Sequence, residues 1–238
     1  MSGHSHWAGI KHKKGLEDVK RGKVFSKLGK MISVAVRDQG GDPDTNPRLR
    51  VAIEKAHEEN MPNENIERAI KRGAGEIEGV KFEQIVLEIV APDGVAILAE
   101  TITDNKNRTL SEIKRILSEH NAKLASEGSV KWMFSQKGVA SLNSAGRDKE
   151  GLELTAIDAG AEDIAWDEDL LTIYTAPENI EILKQNLEQK NLPAESSEIA
   201  WVPQNPVQID LGQREKLEKL LEALDDYEDV QEIYSNLK

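Results

Sequence analysis

Nine lysines and arginines fall within the first 37 residues, at positions 11, 13, 14, 20, 21, 23, 27, 30 and 37, against two acids, Glu17 and Asp18. Cations at this density form ion pairs with phosphates and displace their counterions, which is binding chemistry and not bond making. The whole chain carries a formal charge of −12, so the residues after this arm are strongly acidic. A basic arm on an acidic body points to a polyanionic partner, nucleic acid in the first place. Lys11, Lys13 and Lys14 lie in a polar stretch that also holds Trp7. Lys20, Arg21, Lys23, Lys27 and Lys30 follow in a segment of helical period. Trp7 has two readings, stacking on a base or docking the arm onto neighbouring helices.

A second constellation is Thr103-Asp104-Asn105-Lys106-Asn107-Arg108-Thr109. It lies between a predicted strand and the start of a predicted helix, where free backbone N–H groups and the helix dipole favour an anion. Asn105, Asn107 and Arg108 add donors suited to phosphates or base edges. The competing reading is that these residues only close a turn and cap the helix.

Catalytic patterns are missing. No Gly-rich phosphate loop with Lys, no His-Glu-x-x-His and no Gly-x-Ser-x-Gly occurs, and the chain has no cysteine. His4, His6 and His12 lack a nearby acid or thiolate to complete a four-ligand shell. The expectation is a non-enzymatic protein with no cofactor and no metal. Zero cysteines fit a reducing compartment. With no apolar leader and no run of ~20 apolar residues, the chain is expected to be soluble and cytoplasmic.

The elements that must position these residues follow from periodicity. Residues 16–39 read as one helix ended by Gly40-Gly41. Val24, Phe25, Leu28, Met31, Ile32 and Ala35 share one face, and Lys20, Lys23, Lys27, Lys30 and Arg37 share another arc. The apolar face should bury and the basic stripe should face outward, without the i,i+4 acids that would balance it. The plainer reading of such a stripe is a solvated face. Asn46 and Pro47 are placed to cap and open a second helix running to about residue 60, and Pro62 opens a third, stopped by Gly73. Phe82–Ala91 and Val95–Thr103 alternate as a hairpin around Pro92-Asp93-Gly94. Thr109-x-x-Glu112 has the form of a capping box for the next helix, and Ser129–Phe134 reads as a strand, with Trp132 inward. Residues 137–203 read strand, helix, strand, strand, helix, strand, a ferredoxin-like order. Val207–Asp210, a Leu-rich helix and Val230–Tyr234 are too few to bury their own faces, so they should return to the sheet begun at residue 82.

The expected fold class is therefore multidomain α and α+β: an N-terminal three-helix domain, then two ferredoxin-like α/β domains, one inserted in the other. The boundaries are 1–79, 80–135 with 204–238, and 136–203. The acidic stretch at Asp225, Asp226, Glu228 and Asp229 should face solvent or a basic protein.

The same residues carry a family resemblance. His4-Ser5-x-Trp7-Ala8-x-Ile10-Lys11-His12 and Lys20-Arg21-Gly22-Lys23-x-Phe25-x-Lys27-Leu28 resemble the opening of the YebC/PmpR family. Gly40-Gly41-Asp42-Pro43-Asp44-x-Asn46-Pro47-Arg48-Leu49-Arg50, Asn60-Met61-Pro62-x-x-Asn65-Ile66-x-Arg68-Ala69-Ile70, Thr103-Asp104-Asn105-x-Asn107-Arg108-Thr109 and Gly128-Ser129-Val130 follow in the family's order. The resemblance runs nearly end to end. Strand Glu83–Val90 departs from it in lacking the family's Tyr and Gly. It implies a helical domain and two α/β domains, one interrupted by the other. It also implies a regulator of gene expression, either a translation factor that places its helical domain against ribosomal RNA and assists difficult sequences, or a transcriptional regulator on promoter DNA. The residues themselves leave RNA, DNA and a protein-binding adaptor role for the acidic domains open. They nominate Lys11, Lys13, Lys14, Lys20, Arg21, Lys23, Lys27, Lys30, Asn105, Asn107 and Arg108 as nucleic-acid contacts, with no membrane partner.

Overall fold

The computed structural model describes residues 21–77, 81–144 and 146–238. Among these, three helices precede the first strand: α1 (Arg21–Gln39), α2 (Pro47–Glu58) and α3 (Asn63–Gly73). Their apolar stripes meet in one core of Leu28, Ile32, Ala35, Leu49, Ala52, Ile66 and Ala69. Asn46 fastens the first turn. Its side-chain oxygen accepts from Leu49 N at 3.0 Å, and its amide donates to the carbonyls of Ala35 at 2.9 Å and Gly40 at 2.7 Å. One fully buried side chain thus caps α2 and satisfies orphan carbonyls at the end of α1. At the far end of α3, a Cβ on Gly73 would stand 2.4 Å from the Ser33 carbonyl oxygen and 2.7 Å from Val36 Cβ. Only glycine permits this close approach of α3 to α1.

β1 (Glu83–Val90) and β2 (Ala96–Thr103) pair antiparallel around the Pro92–Gly94 turn, as their alternation predicts. Helix α4 (Lys106–Glu119) follows, then β3 (Lys123–Leu124), which pairs with β1. α4 begins three residues before the expected Thr109 cap. Asn105, extended at φ −146°, is the N-cap and accepts from the Arg108 N–H, so Thr109 lies inside the first turn.

Ser129–Phe134 is not a strand. Residues 131–133 form a 3-10 turn, and β4 (Phe134–Asn143) starts only at Phe134. The reason is the buried Glu88 carboxylate, which accepts the backbone N–H groups of Gly128 at 2.6 Å, Val130 at 2.5 Å and Lys131 at 2.8 Å. Those donors are then lost to any sheet ladder. Trp132 consequently points out, 65% exposed, instead of into a core.

After β4 come α5 (Lys149–Ala159), β5 (Asp163–Asp167), β6 (Leu170–Thr175), α6 (Ile180–Gln189) and β7 (Ser196–Pro203), giving an antiparallel sheet in the order β5-β6-β4-β7. α7 (Leu211–Asp225) opens on a capping box between Asp210 and Gln213, and β8 (Val230–Ser235) pairs antiparallel with β2. The first sheet therefore reads β3-β1-β2-β8, and its last strand arrives after the whole second sheet. The expected strand at Val207–Asp210 is reduced to a single bridge between Val207 and Leu237. The reason is that Asp210 is taken as the α7 cap.

Each sheet covers one face with helices. Leu217, Leu220, Leu221 and Leu224 of α7 lie over Ile97, Ala99 and Ile233 in the first, and Leu152, Leu183 and Leu187 over Leu171 and Ile173 in the second. The opposite faces meet, with Leu98 and Tyr234 packed against Val139, Tyr174 and Ala200. The architecture is an N-terminal three-helix region followed by two four-stranded antiparallel sheets with helices. No helix among the described residues is long and apolar enough to cross a membrane.

Candidate nucleic-acid interface

Lys11, Lys13, Lys14 and Lys20 lie outside the described residues, as does Trp7, and Arg21 is the first described residue of α1. Lys23, Lys27 and Lys30, spaced i, i+4, i+7, occupy one stripe of α1 as the period requires. Lys27 and Lys30 do not face outward, and Lys23 does so only in part. Lys23 Nζ reaches the Asp226 carbonyl at 3.2 Å and its carboxylate at 3.4 Å. Lys27 Nζ reaches the Asp225 carbonyl at 2.8 Å and carboxylate at 3.1 Å. Lys30 Nζ reaches the Glu228 carbonyl at 3.0 Å and the Asp229 carboxylate at 2.5 Å.

The physical cause is the C-terminal end of α7. Its last carbonyls have no intrahelical partner and carry the negative pole of the helix dipole, and Asp225, Asp226, Glu228 and Asp229 add full charges there. Three ammonium groups at helical spacing satisfy both. Of the acids expected to face solvent or a basic protein, Asp225 and Asp229 instead turn their carboxylates to the basic helix of their own chain, while Asp226 and Glu228 stay exposed. Burial deepens along the stripe: the Lys23, Lys27 and Lys30 side chains are 49%, 15% and 10% exposed.

Asp229 also gathers the second constellation. Its carboxylate is fully buried. It accepts from Tyr227 Oη at 3.0 Å, and Arg108 Nη2 stands 3.3 Å away. Thr109 Oγ1 lies 2.7 Å from Asp229 Oδ2 and 2.7 Å from Thr103 Oγ1, and its single proton goes to the carboxylate, which can only accept. Burial alone would raise the Asp229 pKa, but the hydrogen bond from Lys30, the Thr109 hydroxyl and the Lys30 charge outweigh it and hold the group below the usual carboxylate range. Arg108 also pairs with Asp104 at 2.5 Å, Asn105 is the α4 cap, and Asn107 is exposed on the first turn. Asn105 and Arg108 therefore each have a structural contact: one caps a helix, the other braces a buried aspartate. The two groups read separately from the sequence are one network centred on Asp229. The only signal for it was the match between a lysine period of 4 and 3 and a dense acid run some 200 residues later in the sequence.

Two relationships tie the helical region further to the body. Arg48 Nη2 donates to Gln84 Oε1 at 2.5 Å, and Lys55 Nζ lies 3.5 Å from Glu198 Oε2. The guanidiniums of Arg68 and Arg72 on α3 have no ion-pair partner among the described residues, and they flank a groove between α1 and α3. No cluster of three or more His, Asp or Glu among the described residues is placed to hold a metal.

Comparison with known proteins places this geometry. Residues 5–76 match the model described as the TACO1/YebC protein N-terminal domain, and residues 82–237 match the TACO1/YebC second and third domain. The chain belongs to the TACO1/YebC family. A relative from Halothermothrix orenii, named probable transcriptional regulatory protein, is 52% identical over 99% of this chain and 94% of its own length. One of the same name from Thermotoga maritima is 48% identical over 100% and 94%. The crystal structure of a conserved hypothetical protein from Aquifex aeolicus is 46% identical, with a TM-score of 0.88 over 98% of this chain and 97% of that one. The boundary between the two TACO1/YebC matches falls between α3 and β1, where the helical region gives way to the first sheet.

Proposed function

We propose that this TACO1/YebC protein is a non-enzymatic, nucleic-acid-binding regulator of gene expression, working in the cytoplasm as a ribosome-associated translation factor. Its helical region would rest on ribosomal RNA and assist the synthesis of difficult sequences. The observation that carries this reading is the charge asymmetry: a lysine-rich N-terminal segment on a chain of net charge −12. With Lys27 and Lys30 engaged by Asp225 and Asp229, the phosphate contacts fall to Lys11, Lys13, Lys14, Lys20, Arg21 and the half-exposed Lys23. Asn107 offers one more donor at the α4 N-terminus. A lysine-dominated surface positions a protein on phosphates but reads no sequence, which favours a large structured RNA over a defined promoter. We read residues 80–135 with 204–238, and 136–203, as two ferredoxin-like units, one inserted in the other, that hold the basic end at a set distance and angle.

A second reading, a transcriptional regulator on promoter DNA, is supported by the names of the relatives. One experiment separates the two: crosslinking in cells followed by sequencing of bound RNA and bound DNA, with a sucrose gradient in parallel. The translation reading expects ribosomal RNA crosslinks and protein in the ribosomal fractions. Protein absent from ribosomes, with promoter fragments retained over competitor DNA by ~10³-fold or more, would establish the transcription reading instead.

A further inference from the structure

We propose that the groove between α1 and α3 receives one nucleotide of a single-stranded RNA, with its phosphate held between the guanidinium groups of Arg68 and Arg72. This inference rests on the nucleic-acid reading above and adds a site to it. The open groove has a volume of about 280 Å³ and is lined by residues of both helices together with Met61 and Phe82. That volume is near the lower end of small-ligand sites, ~300–1,000 Å³. A concavity of this size has room for a single extruded nucleotide.

The chemistry of the lining fits a nucleotide. Arg68 and Arg72 stand one helical turn apart on α3, and no carboxylate among the described residues lines the groove. Lys30 also borders it, but its ammonium is committed to Asp229, so the two arginines supply the free positive charge. Among the described residues neither has an ion-pair partner. Arginine presents a planar fork that grips a phosphate by two parallel hydrogen bonds, which lysine cannot do. Asn65 adds a side-chain amide on the same wall, and Phe25, Met61 and Phe82 give an apolar floor on which a base or sugar can rest. The opposite wall is kept low. Among the described residues, Gly22 has no atom within 4 Å of where a Cβ would be, and Gly29 has only Met61 Cε at 3.9 Å. Glu64 and Glu67 lie on the other side of Arg68, around a separate shallow depression with Lys71. Lys71 therefore serves as a control on the same helix.

The test uses the full-length protein and a fluorescein-labelled single-stranded RNA of about 12 nucleotides, one site's length for single-strand binders, followed by anisotropy over a range of salt. Arg68→Gln with Arg72→Gln should weaken binding about tenfold or more, and should reduce the log–log salt slope by about 0.7 for the one phosphate released. Arg68→Lys with Arg72→Lys, which keeps charge but loses the fork, should fall between this variant and the wild type. Lys71→Gln should bind like wild type. Wild-type affinity and slope in the Gln pair would overturn the groove while leaving nucleic-acid binding intact. If the Gln pair melts early, undiminished affinity in the Lys pair overturns it instead. Equal dependence on both arginines for duplex DNA, bound more tightly than the RNA, would overturn the single-stranded assignment. A wild type that binds neither nucleic acid would remove both this inference and the reading it rests on.

Discussion

Lys30 Nζ lies 2.5 Å from Asp229 Oδ1, joining two residues 199 apart in the chain across the boundary between the three-helix region and the first sheet. Both side chains are buried, Asp229 completely. The pair stands within a set of hydrogen bonds in which Thr109, Tyr227 and Arg108 take up the remaining acceptor sites of the carboxylate. A buried charge with its partners removed is costly, and this makes the relationship a sensitive point of attack.

Asp229→Asn keeps the shape and removes the charge. It strands the Lys30 ammonium in a buried setting, so the expected loss is about 3–5 kcal/mol of stability. Urea unfolding should show it as a fall in midpoint. A change under about 1 kcal/mol, the size of an exposed pair, would mean that water already reaches the site.

The same pair sets a pH dependence. The Asp229 pKa is depressed in the folded protein. Its contribution is therefore fully present above the unfolded aspartate value of ~3.9 and is lost as pH falls through the lower folded value. The melting-temperature gap between wild type and Asp229→Asn should be constant near neutrality and narrow below about pH 4. A gap unchanged down to pH 2–3 would show that the charge is not what stabilises the site.

Charge reversal along the stripe should be graded. Lys23→Glu, half exposed, should cost no more than ~1 kcal/mol. Lys30→Glu faces the buried Asp229 with a like charge and should detach the helical region from the sheet. Protease cleavage between residues 73 and 83 reads that detachment. Equal resistance in both variants would contradict the burial gradient.

Glu88→Gln tests how the two sheets are joined. The amide presents N–H to a ring of backbone N–H donors, so at least one of the contacts to Gly128, Val130 and Lys131 is lost. Each hydrogen bond to a charged group is worth ~1.5–3 kcal/mol. Faster hydrogen exchange at residues 128–131, with β4 onward still protected, is the expected result.

Ending the chain after Gln204 removes α7 and β8, and with them Leu220, Leu221 and Leu224 from the core under β1 and β2. Hydrogen-exchange protection should vanish over 83–124 and persist over 134–203. Protection retained over 83–124 would show that the first sheet folds without its returning strand.

What the sequence determined by itself was local. Asn46-Pro47 as cap and first helical residue is legible because the cap bond runs from residue i to i+3. The alternation in Glu83–Val90 and Ala96–Thr103, and the Leu stripe of α7, declare their buried faces through periods of 2 and 3.6. The return of the C-terminus to the first sheet could be inferred because two fragments each lacked the strands to close a core. Tertiary structure decided the rest. Thr109 has the spacing of a capping box, yet Asn105 took the cap and Thr109 went to Asp229. Ser129–Phe134 has the composition of a strand, yet a carboxylate forty residues earlier withdrew its donors. The lysine stripe has the spacing of a phosphate-binding face, yet the open end of α7 lies against it. In each case the side chain's own preference was real. The partner that outcompeted it came from a distant segment, and only folding brings that segment within hydrogen-bond range.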